Sequence, residues 1–285
     1  MSKRIGSQTP TQSLFLPYKD TLSGEAVMLY QESGRTAYEW QINLLNEILA
    51  INEDGLWTHM KFGYSIPRQN GKNEVVAIRE LIGLKKGEKM LHTAHRTTTS
   101  AAAFNRLLAI MEESGMEEKT HFNKIKAIGR ESIELIGGGR IDFRTRTSTG
   151  GLGESFDLLV IDEAQEYTID QESALKYTVT DADNPQTIMC GTPPTPVSSG
   201  TVFTNYRETV LNGGLKYSAW AELSTVVGSS FNTSVTSVSA SVVVETSVSD
   251  LTLDTLLNSK LRFPYIVPNM SPATNVTGVL VSVNA

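Results

Sequence analysis

The chain has 285 residues, a formal net charge of −6 and a single cysteine, Cys190. One cysteine excludes an intrachain disulfide framework and a cysteine-based metal cluster. No stretch approaches the 18 apolar residues of a membrane span and no signal-like apolar core opens the chain, so a soluble intracellular protein is expected, while an acidic average leaves local nucleic-acid contacts open.

Residues 1–25 are mixed and polar, and an N-terminal arm is expected over 1–30. Residues 36–50 carry Tyr38, Ile42, Leu45 and Leu49 at helical spacing. Residues 60–66 read as a strand ended by Pro67, and 72–84 as a helix with Val75, Val76, Ile78, Leu81 and Ile82 on its apolar stripe. A short strand is predicted over 89–94, a helix over 97–113, and a β-meander over 124–146 with its turn at Gly137-Gly138-Gly139. Residues 157–161 form a continuous apolar run, as in strands buried on both faces, and 187–190 form another, closed by Gly191-Thr192-Pro193-Pro194. Strands alternating with helices predict an α/β fold with a parallel-rich sheet.

The composition changes after Glu222. About half of residues 223–285 are Ser, Thr or Val, and the charged residues there are Glu245, Asp250, Asp254, Lys260 and Arg262.

Two stretches carry chemistry. The first is Ile66-Pro67-Arg68-Gln69-Asn70-Gly71-Lys72-Asn73-Glu74. A strand, a tight loop and a helix start bring backbone N–H groups and a lysine around polyphosphate. Lys72 would contact the β- and γ-phosphates, and Arg68 is a second cation able to reach the γ-phosphate. Asn73 stands where a Mg²⁺-ligating hydroxyl is usual, and Ile66 where the leading glycine of the common pattern falls. Alone, the segment also reads as a polar strand-to-helix turn.

The second stretch is Leu158-Leu159-Val160-Ile161-Asp162-Glu163, an apolar strand delivering paired acids. Asp162 would hold Mg²⁺ and Glu163 would polarise the attacking water as general base. An ordinary strand-end cap has the same letters, but the upstream Gly71-Lys72 in an α/β pattern favours the catalytic reading.

Weaker candidates surround these. Thr192 would sense the γ-phosphate from a strand end facing the site. Gln41, beside Trp40, would read adenine with its amide. Arg144 and Arg146, two apart and so on one face, would line a DNA path, supply an arginine finger or form a solvated charged edge. His92, His95 and Arg96 read as loop residues without a metal-binding spacing.

Taken together, the chain resembles the large terminase subunit of tailed bacteriophages, in an HK97-like branch. The residues that carry the resemblance are Trp40-Gln41, Pro67 to Asn73, Thr93-Ala94-His95, Arg144-Thr145-Arg146, Leu158 to Gln165, and Gly191-Thr192-Pro193-Pro194. It covers roughly residues 30–222.

The resemblance implies a P-loop NTPase domain of the ASCE/RecA-like class over 31–222. It implies an ATPase that uses ATP and Mg²⁺ to package double-stranded viral DNA. The nucleotide would be held by Gln41, Pro67, Arg68, Gln69, Asn70, Gly71, Lys72, Asn73, Asp162 and Thr192, with Glu163, Lys72 and Arg68 catalytic and Asp162 and Asn73 at the metal. Implied partners are the portal protein and procapsid, a small terminase subunit and further copies of the chain in a ring. The implied location is the host cytoplasm, at the portal vertex, with no membrane.

A nuclease half that the family carries would begin soon after Glu222. The Ser/Thr/Val-rich segment 223–285 offers few carboxylates for a two-metal site. A change of reading frame near Leu223 is the expected cause, with a short β-rich appendage as the other. Leu152 also stands where the family tends to carry a basic residue. The competing functions are a helicase-like ATPase, which needs motifs not found here, and an inactive nucleotide-binding remnant.

Overall fold

The computed structural model describes residues 8–147 and 153–223. Residues 224–285 and Leu152 lie outside the described residues, and with them both explanations of the tail. The strands are β1 (Gln12–Leu14), β2 (Asp20–Thr21), β3 (Ala50–Ile51), β4 (Lys61–Ser65), β5 (Lys89–Ala94), β6 (Phe122–Ile125), β7 (Glu131–Leu135), β8 (Arg140–Thr145), β9 (Leu158–Asp162), β10 (Gln186–Gly191) and β11 (Ser218–Glu222). The α-helices are α1 (Ser23–Gln31), α2 (Glu39–Ile48), α3 (Lys72–Lys86), α4 (Thr97–Glu113), α5 (Ile169–Leu175) and α6 (Val202–Leu211).

Nine strands form one sheet in the order β1-β11-β4-β10-β9-β5-β8-β7-β6. Every neighbouring pair from β11 to β8 is parallel, and the flanking pairs are antiparallel. Side chains alternate between faces along a strand, and β9 shows the result. Leu158 and Val160 join one core with residues of α1, α2, α3 and α4, whereas Leu159 and Ile161 join another with residues of α5 and α6. A strand covered on both faces has no polar side to show, so its sequence is an unbroken apolar run.

The N-terminal arm is corrected in its described part. Residues 12–14 pair with β11 in antiparallel register, and Thr11 N–H donates to the Glu222 carbonyl at 2.7 Å. Helix α1 buries Ala26, Val27 and Tyr30 in the core shared with α3. The physical reason is edge protection: without β1, β11 would present an open row of backbone groups. The unbroken apolar run from Ala26 to Tyr30 was the local signal for this helix. The elements β2, β3, α5, α6 and β11 also lie outside the set predicted from the sequence.

Gly63, in the middle of β4, marks a close approach. A Cβ there would sit 2.6 Å from Trp220 Cε3 on β11 and 2.7 Å from Tyr206 Cε1 on α6.

Candidate functional site

The carboxyl ends of β4, β10 and β9 lie side by side, and each continues into one of the singled-out segments. This is where an open parallel sheet places ligands. After β4 the chain turns through Pro67 to Gly71 and enters α3 at Lys72. Gln69 and Gly71 both adopt left-handed backbone, with φ of 62° and 81°. Asn70 braces the turn from within, donating its amide to the carbonyls of Pro67 at 3.0 Å and Arg68 at 2.8 Å. Arg68 and Gln69 are exposed. Among the described residues the Arg68 guanidinium has no ion-pair partner.

Lys72 crosses from the start of α3 to the end of β9, where its ammonium pairs with Asp162 Oδ1. Its Nζ also lies 3.8 Å from Cys190 Sγ at the end of β10. The same Asp162 oxygen accepts the Glu163 backbone N–H at 2.8 Å and the Cys190 thiol at 3.3 Å. Oδ2 is less engaged, with Asn73 Nδ2 at 3.4 Å and His92 Nε2 at 4.0 Å. Burial alone would push the Asp162 carboxyl pKa up, but the Lys72 ammonium, His92 and the Glu163 N–H together outweigh it and hold the group well below the usual carboxylate range. Burial pulls the Lys72 ammonium down, and Cys190 and Asp162 more than reverse that, so its pKa is raised. The buried Cys190 thiol is pushed up by desolvation.

Glu163 follows in left-handed backbone, φ 51°. Its carbonyl accepts from Glu166 N–H at 3.0 Å and from Arg146 at 3.2 Å. Its half-buried carboxylate makes no hydrogen bond or ion pair among the described residues. It is close enough to Lys72 to favour the charged ammonium. The arrangement is therefore a fixed, ionised aspartate next to an uncommitted glutamate.

Gln41 is placed differently from expectation. It is 1% exposed; its Oε1 accepts the Tyr38 N–H at 2.7 Å and its Nε2 donates to the Gly71 carbonyl at 3.1 Å. Each end of the amide bonds to backbone, so here Gln41 braces the loop from α2. Thr192 lies beside the site, its backbone N–H donating to Gln165 Oε1 at 3.2 Å. The Gly191-Thr192 turn is thus tied to the segment that follows Glu163.

His92 is not a loop residue. It lies within β5, 2% exposed, with Nδ1 2.6 Å from Glu80 Oε1 of α3. Among the described residues its Nε2, aimed at Asp162, has no hydrogen-bond partner. Burial raises the Glu80 pKa, more than His92 lowers it. This dyad was missed because Glu80 stands in a helix judged by its apolar stripe alone. The whole stretch from Val75 to Leu84 is buried, and a carboxylate inside such a stretch is the signal that was available.

The arginines separate. Arg144 pairs with Asp142 and Glu154, and Arg140 with Asp142, as a charged edge. Arg146 is 5% exposed and turns across the strand ends instead.

A magnesium ion is compatible with these donors. Mg²⁺ keeps several waters and takes one or two carboxylates beside phosphate oxygens. Asp162 is ionised, and its less engaged Oδ2 adjoins the Asn73 amide. No cluster of three or more His, Cys, Asp or Glu able to hold a metal by itself occurs among the described residues. Among them, too, no helix is long and apolar enough to cross a membrane.

No family model and no curated protein matches the sequence. Solved structures do match. The HK97 bacteriophage large terminase is 14% identical with a TM-score of 0.53, over 67% of this chain and 41% of that one. The Thermus phage P74-26 large terminase ATPase domain, as a mutant, is 15% identical with a TM-score of 0.49, over 68% and 82%. The yeast DEAD-box splicing factor Prp28 is 15% identical with a TM-score of 0.44, over 79% and 55%. The chain thus spans well under half of the HK97 protein. The first of these likenesses shows the fold alone: a mostly parallel sheet flanked by helices.

Proposed function

We propose that this chain is the ATP-hydrolysing motor domain of a DNA-packaging terminase large subunit. The observation that carries the reading is the convergence of Lys72, Asn73, Asp162 and Glu163 at the adjoining ends of β4 and β9, with β10 between them. The fold shared with the HK97 large terminase supports it.

The residues divide the work. The start of α3 leaves unpaired backbone N–H groups for polyphosphate. Lys72, now paired with Asp162, exchanges that partner for the β- and γ-phosphates, and exposed Arg68 reaches the γ-phosphate from the loop. Pro67, Gln69, Asn70 and Gly71 hold the loop around the phosphates. Asp162 and Asn73 would hold Mg²⁺, which supplies charge neutralisation at the phosphate oxygens. Glu163 takes the proton of the attacking water. Thr192 senses the γ-phosphate through the turn that Gln165 anchors. In this reading the partners are double-stranded viral DNA, portal and procapsid, a small terminase subunit and other copies in a ring. The place of action is the host cytoplasm.

Phosphate release by the purified protein with Mg-ATP, alone and with procapsids and DNA, tests the proposal. Turnover that rises with procapsid and DNA is expected. Neither ATP binding nor hydrolysis under both conditions would overturn it.

Gln41 gives a finer check. Gln41→Leu removes one bond to the loop and one to the start of α2. Only the bond to Gly71 braces the loop, and at about 1 kcal/mol for that bond, ATP and GTP affinity should fall together by roughly 3–10-fold. A loss confined to ATP in parallel titrations would show that the amide reads adenine after all.

A further inference from the structure

We infer that Arg146 is a positioning residue that sets the catalytic geometry of Glu163. The inference rests on the function proposed above for Glu163. Arg146 Nη1 donates to the carbonyls of Thr93 at 3.1 Å and Asp162 at 2.5 Å, and Nη2 donates to the carbonyl of Glu163 at 3.2 Å. One guanidinium therefore ties the end of β5 to the end of β9 and to the residue just beyond it.

The backbone of Glu163 makes this connection matter. A non-glycine residue at φ 51° persists only where its surroundings dictate it. Three hydrogen bonds fix that peptide: its N–H to Asp162 Oδ1, and its carbonyl to Glu166 N–H and Arg146. Arg146 alone among these partners comes from outside the segment. It lies over the Tyr167 ring, its guanidinium carbon 5.5 Å from the centroid, so its plane is held from the same turn.

Keeping a charge there is costly. Burial pulls the guanidinium pKa down, and the buried Nε has no hydrogen-bond partner among the described residues. A residue serving only to fill space would be better replaced by an apolar one. The fork geometry is what the site uses: Nη1 serves the carbonyls of Thr93 and Asp162 while Nη2 reaches that of Glu163, a spread that lysine cannot reproduce.

The test compares Arg146→Met and Arg146→Lys in the full chain with unaltered protein. Arg146→Met should lower kcat by about 100-fold, the scale of a small misplacement of a reacting group, with KM and ATP affinity changed less than about threefold. Arg146→Lys should recover part of kcat by reaching one carbonyl. Hydrogen exchange supplies a readout that needs no turnover. In Arg146→Met the amides of residues 163–166 should exchange at least about tenfold faster, while those of β10 stay protected. Unchanged kcat, a fall in ATP affinity matching that in kcat, or exchange that rises equally across the sheet would each overturn the inference. If unaltered protein neither binds nor hydrolyses ATP, alone or with procapsids and DNA, the functional proposal fails, and the exchange result still decides whether Arg146 holds the Glu163 turn.

Discussion

Glu163→Gln is expected to reduce ATP turnover by about 10²–10⁴-fold, the range for removing a general base, while ATP binding stays within about threefold of the original. The amide keeps the size and shape of the carboxylate and cannot take a proton from water. That carboxylate has no hydrogen bond or ion pair among the described residues. The left-handed turn is set by backbone groups of Glu163, and these are untouched. Stability should therefore move by less than about 0.5 kcal/mol. Steady-state phosphate release, nucleotide titration and urea melts on one preparation check the three statements together. Turnover at the original rate would remove Glu163 from the mechanism.

Lys72→Met should act twice. It removes the cation meant for the phosphates, so ATP binding should be lost. It also strips Asp162, 1% exposed, of its ionic partner, and breaking a buried pair from one side costs about 3–5 kcal/mol. The pH dependence separates this from lost packing. The Asp162 pKa is depressed in the folded protein, so its contribution is present above the unfolded value of about 3.9 and is lost as pH falls through the folded one. The Lys72 pKa is raised, so its contribution is complete below about 10.4 and is lost as pH climbs through the folded value. The gap in stability between the two proteins should therefore be widest from about pH 5 to pH 10 and shrink in acid. Asp162→Asn added to Lys72→Met should restore part of the loss at pH 7. Urea melts from pH 7 down toward the acid limit of the fold measure this, and a gap that does not narrow as pH falls would point to packing instead of charge.

Much of the fold was legible because its cues are local. The apolar period of α3, the unbroken run of β9 and the span of α4 follow from which faces each element buries. Gly71-Lys72 and Asp162-Glu163 were legible for a related reason. The first needs only a tight turn before a helix, and a pair of acids at a strand end needs only that strand. The N-terminal segment was misread at β1 because that strand gains its stability from β11, which no local pattern announces.

The amino-acid sequence alone thus determined the loop, the acidic pair and the alternation of strands and helices that bears them. Only the tertiary structure decided what surrounds them. Gln41 became a brace, His92 and Glu80 a buried dyad below Asp162, and Arg146 a clamp on Glu163. These partners are far apart along the chain and meet because strand order places β5 against β9 and β10 against β4. Residue spacing encodes faces within one element, whereas strand order comes from burying both sheet faces at once, and that is a property of the whole chain.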